Sequence, residues 1–467
     1  MPIDLRLEPA EVPLLVDLYE LTMAASYFKL GFNQPATFSL SVRRMPPRRG
    51  FLVVAGIERL LEAVEQLRFD ADALDYLASL NLFEADFLTF LGNLRFTGDI
   101  FAMTEGAIAF ANEPILEVTA PLIEAQMLET LVLNQVGVAS MLASKAARAT
   151  IAALGRHVFD FGMRRSQGAD AGLVAARSSY LAGFIGTSNV LAGRRYGIPL
   201  YGTMAHSYVM AHDREREAFT HFADLFPRLS TLLVDTYDTP RGVENAAQVA
   251  LELKRRGFKL QAIRLDSGDL AELALTARRI LDRHGLQDVS IFVSGNLDEY
   301  RIEELIRARA PIDAFGVGTA TAVSDDAPAL DIAYKLSEYA GVARLKTSAN
   351  KPSMPGRKQV FRAFNEQGGF YADLVALADE GSVTVAREFK PVPARTEPLL
   401  TKQMSAGRRV GARPTLQEAR AALLQALAAL ERRYKHLTNP AVYPVNLSAA
   451  LNALLVSERA RASRRQD

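Results

Sequence analysis

The chain has no cysteine, and only 6 of its 467 residues are histidine. The first absence excludes disulfides, thiolate metal sites and a cysteine nucleophile together. Charge of either sign is not in excess: 54 Lys and Arg face 53 Asp and Glu, for a net charge of +1. No global field therefore argues for nucleic acid or an anionic membrane as a partner. No window reaches ~18 uninterrupted apolar residues, so no membrane-spanning helix is expected. The start, MPIDLRLEPAEVP, is charged and proline-bearing, unlike a secretory signal, and a cytoplasmic location is the expectation. Three common motifs are also absent: G-x-x-x-x-G-K-[ST], G-x-G-x-x-G and H-E-x-x-H. Any nucleotide must be held in another way. What is present is ordinary for a globular enzyme, with 49% hydrophobic and 23% charged residues. The length suggests two to three domains.

Texture divides the chain. Residues 1–125 mix helical patterns (LVDLYELTMAASYF, GIERLLEAVEQL) with β-like runs (ATFSLSV, GDIFAMTEGAIAF). From about 155, short β-rich runs alternate with helical segments: HVFDFG (157–162), FIGTS (184–188), PLYGTMAH (199–206), TLLVDT (231–236), QAIRLDS (261–267), SIFVSG (290–295) and IDAFGVG (312–318). The later runs are separated by helical patterns with basic ends, such as LAELALTARRILDRHG. This is βαβ spacing, which predicts a parallel sheet and favours a barrel. After 350 the pattern breaks. KPSMPGRKQVFR reads as basic and turn-rich, GGFYADLVALA and SVTVAREF as a hairpin-like pair, EARAALLQALAALERRYKH as a helix, and SERARASRRQD as a solvated tail.

Active sites of parallel barrels lie where strands end. The strand ends here are polar and glycine-rich: DFGMRRSQG (160–168), GTSN (186–189), GTMAHS (202–207), DTYDT (235–239), RLDSGDL (264–270), SGN (294–296) and GVGT (316–319). Any one of them reads equally well as a helix N-cap, but seven in succession should converge on one face. SGN and GVGT offer bare backbone N–H groups, chemistry suited to phosphate. RLDSGDL places one guanidinium and two carboxylates within a few residues. Arg264 suits a carboxylate or phosphate, and Asp266 and Asp269 suit Mg²⁺ or a developing cation; an ion pair plus an N-cap is the plainer alternative.

The ordered series DLYELTM (17–23), DFGMRRSQGADAGLVAARSSYLAGFIGTSNVLAG (160–193), GTMAHS, LLVDTYDT (232–239), LDSGDL, SGNLDE (294–299), FGVGT (315–319) and KPSMPGRKQVFR (351–362), with NPAVYPVNLS near the end, resembles nicotinate phosphoribosyltransferase. The resemblance runs from about residue 13 to about 450. It implies an irregular parallel α/β barrel, type II phosphoribosyltransferase-like, plus an α+β domain built from both chain ends. The corresponding division is 1–130 and 350–467 for the α+β domain and 131–349 for the barrel. It also implies synthesis of nicotinate mononucleotide from nicotinate and 5-phosphoribosyl 1-diphosphate in NAD salvage. That synthesis would be coupled to ATP hydrolysis through a phosphohistidine, in a head-to-tail homodimer with shared active sites.

Residue by residue, the resemblance makes His206 the phosphorylated histidine. Phe161 becomes the ring-stacking residue and Tyr19 a tyrosine supplied by the other subunit. Arg264 becomes the contact to nicotinate, with Arg164, Thr203 and Thr319 near ring and phosphate. Ser294, Gly295, Gly316 and Gly318 complete the substrate-binding turns. Ser188 stands where the nicotinamide-using relative carries an aspartate, which favours the acid as substrate. Asp266 and Asp269 are expected near the ribose or a Mg²⁺ on the diphosphate. Lys351, Lys358 or Arg362 would reach phosphates, or else form a solvated basic loop. Three alternatives remain: a nicotinamide phosphoribosyltransferase, a sugar-phosphate barrel lyase, and a non-catalytic pyridine-nucleotide-binding protein. The lyase would want a lysine at a strand end, and none of the seven has one.

Overall fold

The runs read as barrel strands form a parallel sheet in the computed structural model, which describes residues 9–347 and 353–464. The chain forms two compact units, Lys145–Pro328 and a second made of Met1–Ser144 with Ala329–Asp467.

In the first unit the strand order is Gly186–Thr187, His157–Asp160, Ala314–Val317, Ser290–Val293, Ala262–Leu265, Thr231–Leu233. Every neighbouring pair is parallel. The run PLYGTMAH does not become a strand. It contributes one parallel bridge, Leu200 to Thr187. Pro199 has no N–H to donate on one side of the bridge, and on the other the Asn189 N–H donates to Thr187 Oγ1 at 3.0 Å instead of to Tyr201 O. The sheet is thus a curled half-barrel. The Tyr201 hydroxyl lies 3.2 Å from Thr231 Oγ1 on the strand at the opposite edge.

Helices Thr239–Arg255, Leu270–Arg283 and Glu299–Arg307 follow three successive strands. Asp238, Asp269 and Asp298 cap them by accepting from backbone N–H groups of the first turn. Each ends in basic residues, which suits the negative end of the helix dipole. Their apolar faces bury Val243, Ala247, Ala274, Leu281, Ile302 and Leu305, while the strands bury Ile263, Leu265, Ile291, Val293, Phe315 and Val317.

The other unit joins both chain ends in one antiparallel sheet. Its order is Val342–Ala343, Asp331–Tyr339, Pro35–Arg44, Pro114–Pro121, Asp99–Ala102, Thr401–Ser405, Arg408–Arg409. A four-stranded sheet (Arg395–Pro398, Lys358–Phe364, Phe370–Leu377, Val445–Leu447) belongs to the same unit. The unit boundaries fall at 144/145 and 328/329 rather than at 130/131 and 349/350. Two contacts explain this. The Ser140 and Ser144 hydroxyls accept from the N–H groups of Ala55 and Val53 at 3.0 and 2.8 Å. Asp331–Tyr339 pairs with Pro35–Arg44, Tyr334 opposite Leu40.

Three readings of the C-terminal region are corrected. GRKQVFR supplies the strand Lys358–Phe364, which pairs with Phe370–Leu377. SVTVA is a short helix, Ser382–Ala386, and not a hairpin partner. SERARASR continues the helix Ala449–Arg464, with Leu451 and Leu455 on its buried side. Among the described residues one helical stretch, Leu122–Ala152, is long and apolar enough to cross a membrane by length and composition. Of its apolar window, 72% is buried inside the protein, as in a core helix.

Candidate active site at the strand ends

Arg264 organises the site. It leaves the strand Ala262–Leu265, and its guanidinium is fixed by three partners. Nε donates to Ser294 Oγ at 2.8 Å, Nη1 to Thr203 Oγ1 at 2.7 Å and Nη2 to Asp266 Oδ1 at 2.6 Å. The same guanidinium stands over the Phe161 ring, 5.5 Å from its centroid, a cation–π distance. Thus four of the predicted strand ends meet at one side chain. Ser294 also donates to Asp266 Oδ1. Burial works to raise the Asp266 carboxyl. Hydrogen bonds from Ser294 and Arg264 and the Arg264 charge outweigh it and hold that carboxyl below its ordinary value.

His206 opens the short helix His206–Met210 and is 41% exposed. Its Nδ1 lies 3.2 Å from Thr236 Oγ1, and its Nε2 lies 3.9 Å from Asp266 Oδ2. The second distance is too long for a hydrogen bond. In the neutral tautomer whose Nδ1–H donates to Thr236, Nε2 carries the lone pair.

Asp235, in the strand-end motif DTYDT, is a residue that the sequence did not single out. Its Oδ2 accepts from the Asp266 N–H at 2.8 Å and from Ser267 Oγ at 2.7 Å, and its Oδ1 is buried with no partner. Asp269 is placed differently from Asp266. Its Oδ1 accepts from the N–H groups of Ala271 and Glu272 at 3.1 and 3.3 Å, so it serves the helix Leu270–Arg283 as cap.

Aromatic rings form the floor. Phe161 and Tyr201 lie nearly parallel, with centroids 6.5 Å apart and 15° between planes. Phe292 packs 5.6 Å from Phe161, and Phe159 stacks on Tyr201 at 4.0 Å. Burial raises the Tyr201 hydroxyl pKa. Gly316 makes room for these rings: a Cβ there would lie 2.8 Å from Phe292 and 2.9 Å from Phe161. Gly295 is more constrained still. Its φ is +91°, and a Cβ would meet the Asp266 carbonyl oxygen at 1.9 Å. Below the floor, buried Asp160 ties two strand ends together, accepting from the Gly162 N–H at 2.9 Å and from Thr187 Oγ1 at 2.6 Å. Burial raises its pKa against those two bonds. Ser188 follows directly and is exposed, its N–H donating to Asp160 O at 2.9 Å. Arg164 and Thr319 are exposed, and Gly318 sets the turn before Thr319.

Tyr19 belongs to the other unit. It sits in the first turn of the helix Leu18–Leu30 and is 46% exposed. Partial burial and the nearby acids Glu129, Glu20 and Asp17 raise its hydroxyl pKa. In the same unit a cavity of about 570 Å³ is lined by Arg43, Lys335, Lys346, Lys358 and Arg459 among others. Lys358 is nearly buried there, 3.1 Å from Glu117 Oε1. Arg362 does not face ligand. It is fully buried, pairs with Asp373 and donates to Ile108 O at 2.9 Å. Lys351 lies outside the described residues.

The Arg264 guanidinium, the aromatic floor and the glycine-bearing strand ends lie together at the strand ends of a parallel α/β half-barrel. Residues 14–137, 156–372 and 357–455 match, respectively, the nicotinate phosphoribosyltransferase (NAPRTase) N-terminal domain, the NAPRTase family and its C-terminal domain. A nicotinate phosphoribosyltransferase of Mycobacterium tuberculosis is 48% identical over 450 residues, covering 96% of this chain and 93% of the relative. One from Bacillus subtilis is 37% identical, covering 92% of each. The crystal structure of human nicotinic acid phosphoribosyltransferase superposes with a TM-score of 0.83 at 30% identity, covering 94% of this chain and 99% of that one. The chain belongs to the nicotinate phosphoribosyltransferase family.

Proposed function

We propose that the chain joins nicotinate to 5-phosphoribosyl 1-diphosphate, releasing nicotinate mononucleotide and diphosphate, and couples this to ATP hydrolysis through phosphorylation of His206. The observation that carries the reading is the fixed Arg264 guanidinium over the Phe161 face. Three hydrogen bonds to Ser294, Thr203 and Asp266 occupy three of its five N–H donors. The rest are aimed by that clamp, and a pyridine ring bearing a carboxylate needs such a pairing of cation and aromatic face. The uncharged Ser188 favours the acid over the amide, because a carboxylate there would repel nicotinate.

As diphosphate leaves, the anomeric carbon gains positive charge, and Asp266 is held ionised beside it. Gly295, Gly318 and Thr319 present backbone and hydroxyl donors for phosphate, whereas Gly316 stays within the buried strand Ala314–Val317. Magnesium carried in with the diphosphate would stabilise the leaving group. The carboxylates that fit it are Asp235, whose Oδ1 is buried and unpartnered, and Asp266. Asp269 fits less well, since it already caps a helix. His206 Nε2 is the atom placed to accept the γ-phosphoryl group of ATP. The added negative charge would then bias the neighbouring strand-end loops. We further infer a cytoplasmic homodimer in which the exposed Tyr19 ring enters the partner's site.

The test is product formation from nicotinate, phosphoribosyl diphosphate and Mg²⁺, with and without ATP, while ADP and diphosphate are counted. Coupling predicts one ADP per nucleotide made under saturating ATP. Nucleotide synthesis without any ATP consumption would remove the phosphohistidine from the account.

A further inference from the structure

The glycine turns at residues 294–296 and 318–319 are held from behind by one buried lysine. Lys145, 1% exposed, lies 2.7 Å from Glu299 Oε2, 2.8 Å from Asp325 Oδ1 and 3.0 Å from Asp326 Oδ1. Glu299 is the first residue of the helix Glu299–Arg307, which follows the turn at 294–296. Asp325 and Asp326 follow the short helix Thr319–Val323, which begins directly after Gly318. The chain between has little slack, because Ser324 is left-handed at φ +46° and its hydroxyl donates to Ala327 O at 2.9 Å. Arg148, three residues along the same helix as Lys145, completes the clamp. Its Nε donates to Glu299 Oε1 and its Nη2 to the Tyr300 hydroxyl, both at 2.8 Å.

From this convergence we propose that Lys145 is a positioning residue: it fixes the spacing of the two turns that receive phosphate, and so sets affinity for the phosphoribosyl diphosphate and not for the pyridine. The inference rests on the phosphate reading of those turns. Ser294 of the first turn also accepts from Arg264, but Arg264 keeps Thr203 and Asp266, neither of them in the clamp, so the ring end retains support of its own. A buried lysine facing three acids is costly to maintain for stability alone.

The experiment measures KM for phosphoribosyl diphosphate and for nicotinate separately, with kcat and a thermal melt, on the full chain. Lys145→Met should raise KM for phosphoribosyl diphosphate roughly ten-fold or more, because sub-ångström misplacement is felt strongly. KM for nicotinate should stay within about two-fold. Lys145→Arg should recover part of the loss. The paired Asp325→Asn, Asp326→Asn variant should shift the same constant in the same direction, and it decides the matter should Lys145→Met fail to fold. Equal rises in both KM values, or no rise in folded variants, would overturn the proposal. Thr319→Ala separates the two claims. If it raises KM for phosphoribosyl diphosphate while the clamp variants do not, the positioning role is wrong and the phosphate reading stands. If none of the variants moves that constant, both are wrong.

Discussion

His206 Nδ1 and Thr236 Oγ1 lie 3.2 Å apart, across the ends of two different strand-end loops. The contact orients the imidazole so that Nε2 faces the Asp266 side of the site. We predict that His206→Ala folds and loses all stimulation by ATP. Thr236→Val should keep the histidine and lower the rate of its phosphorylation by about ten-fold, roughly the loss of one hydrogen bond of about 1.4 kcal/mol. Labelled phosphate from γ-labelled ATP, followed by peptide mapping, reads both effects. Label on a residue other than His206 would defeat the assignment.

Ser188→Asp should turn the ring pocket against nicotinate. Ser188 is exposed, so the repulsion is screened to about 1 kcal/mol, or about five-fold in kcat/KM. The comparison is kcat/KM for the acid and the amide in parent and variant. An unchanged ratio would place Ser188 outside the ring pocket.

Glu20 gives a pH prediction for stability. Its side chain is buried, its Oε2 has no partner, and Glu129 and Asp17 face it, while Thr130 donates to Oε1 from both N–H and Oγ1. Burial, with those two acids, pushes its pKa up to about 7 against the Thr130 bonds. The folded state thus binds its proton more tightly than the unfolded chain does. The stabilisation is fully present below the unfolded value of about 4.3 and is lost as pH rises to about 7. Discounted for partial solvent access, the loss is on the order of 1–2 kcal/mol. Melts from pH 4.5 to 7.5 should therefore fall more steeply for the parent than for Glu20→Gln. Parallel curves would mean Glu20 titrates normally.

Shared active sites predict complementation. Tyr19→Ala and Arg264→Ala should each be inactive, and a mixed dimer should carry one site with both residues intact. Random mixing makes about half the dimers mixed, so about a quarter of parent activity should return. Demonstrated subunit exchange without any return of activity would place Tyr19 in its own chain's function.

Much of the site was legible because barrel topology brings strand ends together in chain order. Reading RLDSGDL beside SGN was enough to expect Arg264, Asp266 and Ser294 on one face, and the family resemblance added Thr203. Asp269 stayed open between cap and metal because a capping aspartate and a metal-facing one have the same local sequence; the direction of Oδ1 shows the cap. Phe292 and Tyr201 look like ordinary strand residues, and their meeting with Phe161 depends on sheet curvature. Arg362 looked solvated in a basic run because its partner, Asp373, sits opposite it on the next strand, a register no local pattern reveals. The tail SERARASR was read by charge alone, although Leu451 and Leu455 upstream give its helix a buried side. PLYGTMAH has the composition of a strand, but Pro199 on one side and the Asn189 N–H turned to Thr187 Oγ1 on the other leave it a single bridge.

The central claim is that Arg264 over Phe161 selects a pyridine carboxylate for transfer to the phosphoribosyl group. It is tested most directly by offering the purified chain equal nicotinate and nicotinamide with limiting phosphoribosyl diphosphate, Mg²⁺ and ATP, and identifying the nucleotide by mass. The account predicts nicotinate mononucleotide as the dominant product and its loss in Arg264→Ala. Nicotinamide mononucleotide as the main product, or undiminished nicotinate mononucleotide from Arg264→Ala, would contradict it.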